Sequence, residues 1–272
     1  MKTVSEARQN APPRSIFDRV LVGIDGSNES REAARQAAIL ADGKLTLFAA
    51  YDVSTAVFGG TGTGVPDYLD EDLQREAATD ALRRVREDVE AVSPTGKIVR
   101  GHAASALISE VKREQGTLLV VGSRGRGRLI GFVTGSTASE VIHEAPSSVL
   151  IARGRSAPGS FPNKVVAGVD GSPESAAAYA AARQIAERFD AELWPVVAHG
   201  GKAVDRRRVG QIVGRDREEL PDDPVVALVA ASADADLLVV GSRGLHGLKA
   251  LGSVSERVAH RASSSVLIVR GR

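Results

Sequence analysis

Residues 118–136 read LLVVGSRGRGRLIGFVTGS and indicate the fold most clearly. In them an apolar run leads directly into a glycine-rich segment, residues 122–136, which we call the glycine phrase. Residues 237–253 repeat the pattern as LLVVGSRGLHGLKALGS, with two residues fewer inside the phrase. A short run of leucine and valine followed by a glycine turn is typical of a buried strand that leads into a helix. The stretch therefore predicts a strand–loop–helix unit of an α/β sheet, present twice in one chain.

The rest of the chain is repeated as well, with its segments in the same order. VLVGIDGSNES at residues 20–30 returns as VVAGVDGSPES 145 residues later, and LLVVGSRG returns 119 residues later. SSVLIAR at residues 147–153 returns as SSVLIVR after 117 residues. The second copy is thus 26 residues shorter between its first and fourth strands, and two residues shorter in the glycine phrase.

Both copies predict the same fold class, an α/β domain with a doubly wound parallel sheet of five strands in the order 3-2-1-4-5. In the first copy we predict strands near residues 20–24, 45–50, 98–100, 118–121 and 149–152, and helices near 29–41, 70–91, 106–114 and 136–144. The predicted divisions are a disordered arm (1–15), a first domain (16–153), a linker (154–163) and a shortened second domain (164–272).

The shortening of the second copy falls where the first copy has its long second helix. Between its second and third strands the second copy reads HGGKAVDRRRVGQIVGRD, residues 199–216, and we expect little or no helix there. Residues 206–208, all arginine, are interpreted as a solvated strand edge. The second domain is therefore expected to be trimmed and to have a depleted wall beside its second strand.

The composition excludes several classes of function. Basic and acidic residues nearly balance, 35 against 34, so neither a nucleic-acid nor a membrane partner is expected. The chain has no cysteine, and no apolar run reaches the roughly 18 residues of a membrane span. We expect a cytoplasmic protein. The histidines are interpreted as separate surface or loop residues: His102, His143, His199, His246 and His260.

A ligand crevice is expected where the strand order reverses, at the carboxyl ends of the first and fourth strands. Asp25 follows the first of these strands, and the glycine phrase follows the other. In the phrase, Gly122, Gly125 and Gly127 would allow positive φ angles and a close approach of a ligand to N–H groups that bind anions.

The following helix adds to this anion site. Gly135, Ser136 and Thr137 open it, and a helix N-terminus favours phosphate. Three arginines supply positive charge, at positions 124, 126 and 128. The residues alone leave an alternative open, in which the phrase is a tight strand-to-helix connection and DGS at 25–27 is a capped turn.

With these motifs the chain resembles a tandem universal stress protein, with two UspA-like domains over residues 16–153 and 163–270. ATP-binding members of that family carry G-x2-G-x9-G-[S/T] after the fourth strand, and Gly122, Gly125, Gly135 and Ser136 have this spacing. The resemblance implies that Gly23 and Asp25 contact the nucleoside and that the Ala50 backbone borders adenine. It implies that the phosphates, with magnesium, are held by Gly122, Ser123, Arg124, Gly125, Arg126, Gly127, Arg128, Gly135, Ser136 and Thr137.

The second copy departs from this pattern. Seven residues separate Gly244 from Gly252, where the family has nine, and His246 and Lys249 stand in for two arginines at shifted positions. The resemblance thus predicts one nucleotide site per chain, in the first domain, with the second as a partner domain. We expect the last strands of the two domains, 149–152 and 266–269, to pair as exposed edges do. A homodimer of the whole chain remains open.

The expected function is a nucleotide-dependent stress-response module without fast catalysis. The chain lacks a GxxxxGK[ST] loop, and no residue is placed by sequence as a base for attack on a γ-phosphate. Slow ATP hydrolysis or autophosphorylation stays open. Two alternatives remain, namely a UspA-like scaffold that binds no nucleotide and an adenylyl-transfer enzyme on the same fold.

Overall fold

The computed structural model describes residues 16–52, 71–124, 135–154, 161–200, 205–242 and 253–271. The strands β1 to β10 are Arg19–Gly23, Lys44–Tyr51, Thr95–Arg100, Thr117–Gly122, Val149–Ala152, Lys164–Gly168, Glu192–Ala198, Glu218–Leu220, Leu237–Gly241 and Ser265–Val269. The helices α1 to α8 are Asn28–Leu40, Glu71–Asp88, Ala103–Arg113, Ser136–Glu144, Pro173–Phe189, Arg206–Val213, Pro224–Ala231 and Ser253–Arg261. The predicted arm at 1–15 and part of the predicted linker lie outside the described residues.

The strands form one ten-stranded sheet in the order β3-β2-β1-β4-β5-β10-β9-β6-β7-β8. Each copy of the repeat contributes five strands in the predicted order 3-2-1-4-5, and all pairs within a copy are parallel. The predicted fold class is confirmed. Within the described part of the chain, no helix is long and apolar enough to cross a membrane.

The central strands are buried on both faces, which explains their continuous valine, leucine and isoleucine. The helices α1, α2 and α5 cover one face, and α3, α4, α7 and α8 cover the other. The hydrophobic cluster under each of these helix layers contains residues of both copies, because the sheet continues across the middle of the molecule. Phe161, at the end of the predicted linker, is itself buried in the first of these clusters.

The two copies meet through their last strands. β5 and β10 pair antiparallel, with Leu150 opposite Leu267 at the centre of the register. The predicted pairing of these two edge strands is confirmed. Because equivalent residues face each other, the copies are related by a pseudo-two-fold axis through this pair.

The expectation of little or no helix after β7 is wrong. α6 runs through eight residues there, and the three arginines form its first turn instead of a strand edge. Asp205 caps the helix, since its side chain accepts from the Arg208 N–H at 3.1 Å. Val209 and Val213, four residues apart, are buried against Val169 and Val197. A short helix therefore packs beside β7, where the sequence predicted a depleted wall.

Candidate functional site

The carboxyl ends of β1, β2 and β4 lie side by side at one edge of the sheet. β1 is central, with Gly23 opposite Phe48 of β2 and Val22 opposite Val120 of β4. Asp25 follows β1 and Ser123 follows β4 at this edge. Ala50 is the penultimate residue of β2 and is partly buried. The described residues that were predicted to bind the nucleoside thus share one edge with those that begin the glycine phrase.

Asp25 forms the turn that starts α1. Its Oδ1 accepts hydrogen bonds from the backbone N–H of Ser27 at 2.9 Å and from the Ser27 hydroxyl. Ser27 Oγ in turn accepts from the Ser30 N–H at 3.1 Å and caps the helix. Gly26 takes a φ of +81°, which the turn requires and which glycine adopts without strain. Among the described residues, no donor contacts Asp25 Oδ2, and the side chain is exposed.

The same turn occurs in the second copy. Asp170 Oδ1 accepts from the Ser172 N–H at 3.0 Å and from its hydroxyl, and Gly171 has a φ of +84°. Ser172 caps α5 as Ser27 caps α1. The turn is therefore part of the fold of both copies, and its geometry alone does not mark a ligand site.

The two ends of the glycine phrase in the first copy meet. The Gly135 N–H donates to the Ser123 carbonyl at 2.8 Å, and the Ser123 N–H donates to the Ala152 carbonyl of β5 at 3.0 Å. Ser123 is buried and Arg124 is exposed. Four predicted site residues between these ends lie outside the described residues: Gly125, Arg126, Gly127 and Arg128.

The helix that follows the phrase begins without a side-chain cap. Gly135 is the N-cap of α4, and a glycine has no side chain that could accept a hydrogen bond from the first turn. Ser136 is exposed and Thr137 is partly exposed. The first N–H groups of a helix have no partner within the helix and carry its positive dipole end. In contrast to α1, this helix start can therefore offer N–H groups to an anion.

Gly122 has a different role from the one predicted. Its φ lies outside the positive range, so the backbone does not need glycine for its conformation. A Cβ at this position would lie 2.8 Å from the Glu29 carbonyl carbon of α1. The expectation of a positive φ at Gly122 is wrong, because this glycine instead allows the first turn of α1 to pack closely on β4.

Arg153, which is not among the predicted site residues, lies close to Arg124. It follows β5, and its guanidinium donates to the carbonyls of Ser264 and Ala259 in the second copy. Burial, together with the positive charge of Arg124, lowers the pKa of Arg153 to about 10. The repeat of SSVLIAR as SSVLIVR was the signal that could have identified it. Two arginines thus concentrate positive charge at the end of β4 and β5.

The second copy differs where its shorter phrase ends. Gly241 packs on Glu174 as Gly122 packs on Glu29, and a Cβ there would lie 2.6 Å from the Glu174 carbonyl oxygen. The buried Ser255 hydroxyl of α8 donates to the Gly241 carbonyl at 2.6 Å. Alanine occupies the equivalent position in α4, residue 138. A side-chain bond therefore ties the start of α8 to β9 in this copy.

An open cleft of about 280 Å³ lies at the opposite, amino-terminal edge of the first-copy strands. Its charged side chains are paired with each other, since Lys97 contacts Glu110 at 2.7 Å and Lys44 contacts Glu114 at 3.8 Å. Strand ends of this kind are not where doubly wound sheets bind ligands. The cleft is not part of the candidate site.

The histidines are not all separate. His143 lies at the end of α4, and its Nε2 contacts Glu256 Oε1 of α8 at 3.3 Å. His260 lies one turn further along α8 and is only partly exposed. The interpretation as a surface residue holds for His143, which is exposed, but the pairing of the last strands brings α4 and α8 together, so that His143 and His260 are not separate.

Two doubly wound halves joined through their last strands define a tandem α/β protein. The chain belongs to the universal stress protein family, whose model matches residues 16–153 and 197–270, together more than half of the chain. Residues 154–196 lie outside the matched ranges, although β6, α5 and most of β7 there repeat the first elements of the first copy.

The relatives match this chain over nearly their whole length, and so over both of its copies. The chain is 30% identical over 288 residues to a universal stress protein of Mycolicibacterium smegmatis, covering 93% of this chain and 97% of the relative. It is 30% identical over 286 residues to one of Mycobacterium tuberculosis, covering 92% and 96%. The crystal structure of a universal stress protein from Archaeoglobus fulgidus has a TM-score of 0.68 at 19% identity, over 94% of this chain and 99% of that one, which supports the fold.

Proposed function

We propose that the protein binds one ATP, with magnesium, at the carboxyl edge of its first copy and acts as a nucleotide-dependent stress-response module of the cytoplasm. The observation that carries the proposal is the junction of the glycine phrase. Its two ends are hydrogen-bonded, Gly135 to Ser123, directly at the uncapped start of α4. This brings N–H groups, a helix dipole and the Arg124 charge together, which suits a polyphosphate.

Each residue has a distinct part in this proposal. Gly23, Asp25 and Ala50 form the nucleoside end, where Asp25 Oδ2 would accept from a ribose hydroxyl. Ser123 and Arg124 stand at the phosphate end with Gly135, Ser136 and Thr137. The sequence adds four more residues to the phosphate loop: Gly125, Arg126, Gly127 and Arg128. Gly122 contributes by keeping α1 close to β4.

The module would act through binding and not through rapid turnover. The sequence has no GxxxxGK[ST] lysine and no residue placed to activate water at a γ-phosphate. Slow hydrolysis or autophosphorylation would be compatible with the proposed site. The nucleotide-bound form of the protein would then be the active form, and another molecule would recognise it by binding to it.

A second candidate function is a scaffold that binds no nucleotide. It is favoured by the Asp170 turn, which reproduces every hydrogen bond of the Asp25 turn in a copy with a shortened phrase. The two candidates are separated by mass spectrometry of the denatured, as-purified protein, with the Gly125→Val variant as control. We expect about one adenine nucleotide per wild-type chain and none with the variant. Wild-type protein that neither carries nor takes up ATP would support the scaffold.

A further inference from the structure

We propose that His143, Glu256 and His260 form a binding site for a divalent transition-metal ion, best suited to Zn²⁺, that joins the two copies. The ligand atoms of these three side chains all lie within 4.8 Å of one another. They come from two helices, one in each copy. No part of this site belongs to the proposed nucleotide site.

The spacing of the ligand atoms is close to that of a metal site. Zn–N and Zn–O bonds of about 2.0–2.1 Å in a tetrahedron separate neighbouring ligand atoms by about 3.4 Å. His143 Nε2 and Glu256 Oε1 already lie 3.3 Å apart. Glu256 and His260 are four residues apart on α8 and so share one face of the helix. Small rotations of the exposed His143 side chain and the partly exposed Glu256 side chain would complete the arrangement.

The chemistry of the set also points to a metal. Two imidazoles and one carboxylate leave a fourth position for water, as in three-ligand zinc sites. His260 Nδ1 is buried and has no hydrogen-bond partner among the described residues, although buried polar atoms normally have one. A metal bonded to this nitrogen would supply the partner.

The pseudo-two-fold axis explains why the site lies where it does. His143 and His260 are equivalent residues, 117 positions apart, the same spacing as between Leu150 and Leu267 at the centre of the strand pairing. Equivalent residues near such an axis approach each other, so one histidine per copy yields a pair. Glu256 has no acidic equivalent, because position 139 is serine. The proposed metal would therefore act as a clamp between α4 and α8.

The test is a titration of untagged, chelator-treated full-length protein with Zn²⁺ alone, followed by calorimetry. We expect one Zn²⁺ per chain, and an affinity at least about tenfold lower in His143→Gln, His260→Gln and Glu256→Gln. His102→Gln is the matched control, since His102 Nδ1 also faces a carboxylate, Glu140 at 3.6 Å, but belongs to no three-ligand group among the described residues. Its Zn²⁺ affinity should equal that of the wild type.

Thermal unfolding supplies a second measurement. Zn²⁺ should raise the Tm of the wild type and of His102→Gln, because a ligand that binds only the folded state stabilises it, and leave the Tm of the three site variants unchanged. His143→Gln and Glu256→Gln alter partly exposed side chains, so they keep the test valid should His260→Gln fail to fold. Absence of a one-to-one site in the wild type, or unchanged affinity in folded site variants, would overturn the proposal.

Discussion

Leu150 of β5 lies directly opposite Leu267 of β10, and the two residues occupy the same position in the two copies. The contacts around them are exchanged in the same symmetric way. Arg153 donates to the Ala259 carbonyl of α8, and Arg270 donates to the Ile142 carbonyl of α4 at 2.7 Å. The chain thus makes within itself the kind of isologous contact that separate protomers make in a two-fold dimer.

The two serines at this junction should differ in their contribution to stability. The fully buried Ser265 hydroxyl donates to Gln36 Oε1 at 2.8 Å and accepts from the Arg153 N–H at 2.9 Å. Its equivalent, Ser148, is partly exposed and accepts from the Arg270 N–H at 3.1 Å. Ser265→Ala should cost about 1–3 kcal/mol because it leaves buried groups without partners, and Ser148→Ala about 0.5–1.5 kcal/mol. Urea unfolding of both variants measures the difference; a larger cost for Ser148→Ala would contradict it.

A side chain at either of the glycines that end β4 and β9 is expected to lower the stability of the protein. A Cβ at Gly122 or Gly241 would lie 2.8 Å or 2.6 Å from the backbone of α1 or α5. Each Gly→Ala variant should therefore lose about 1–3 kcal/mol by overpacking. Gly210→Ala in α6 is the control, because a Cβ there meets nothing within 4 Å, and it should gain about 0.5–1 kcal/mol. Equal stability of all three variants in chemical denaturation would refute the packing role.

The ion pair between α1 and α2 should give a pH-dependent stabilisation. Arg31 donates to both carboxylate oxygens of Asp88, at 2.9 and 3.1 Å, and this lowers the pKa of Asp88 below its ordinary value of 3.8. The pair therefore stabilises fully above pH 3.8 and loses its contribution as the pH falls through the folded-state pKa. Asp88→Asn should cost about 0.2–1 kcal/mol at pH 7. Denaturant titrations at pH 7 and pH 3 should show the difference shrinking; a constant difference would exclude this carboxylate as its source.

The fold was predictable because its signals are local or repeated. Continuous apolar runs predicted the central strands, and two nearly identical apolar edges predicted the β5–β10 pairing. α6 was not predicted, because three consecutive arginines are also typical of a solvated strand edge. The four-residue spacing of Val209 and Val213 indicates one buried helix face instead. Its Asp205 cap was a further signal in the sequence.

The candidate site was less predictable because its contacts join distant segments. The close packing of Gly122 on Glu29 depends on how α1 crosses β4, which no spacing in the glycine phrase reveals. The convergence of His143 with Glu256 and His260 depends on the antiparallel register of the last strands. In contrast, the phrase itself predicted that a helix opens at its end, and α4 does begin at Ser136.

The Asp25 turn allows a paired test of nucleoside contact. Asp25→Ala and Asp170→Ala remove the same hydrogen bonds to the following serine, so both should affect the local turn similarly. Only Asp25→Ala should also weaken ATP binding, by about 1–3 kcal/mol for a lost polar contact. Calorimetric ATP titration of both variants, with circular dichroism to check the fold, makes the comparison. Equal ATP affinities in the two variants would remove Asp25 from the site.

The stoichiometry of ATP bound to the intact chain tests the central claim most directly. Calorimetry should give one tight site per wild-type chain, lost in Gly125→Val, where a side chain would enter the phosphate loop, and retained in the matched variant Gly244→Val. Any site in the second copy should be at least about tenfold weaker, a difference of about 1.4 kcal/mol. Two equivalent sites in the wild type, or one undiminished site in Gly125→Val, would contradict the assignment of the nucleotide to the first copy.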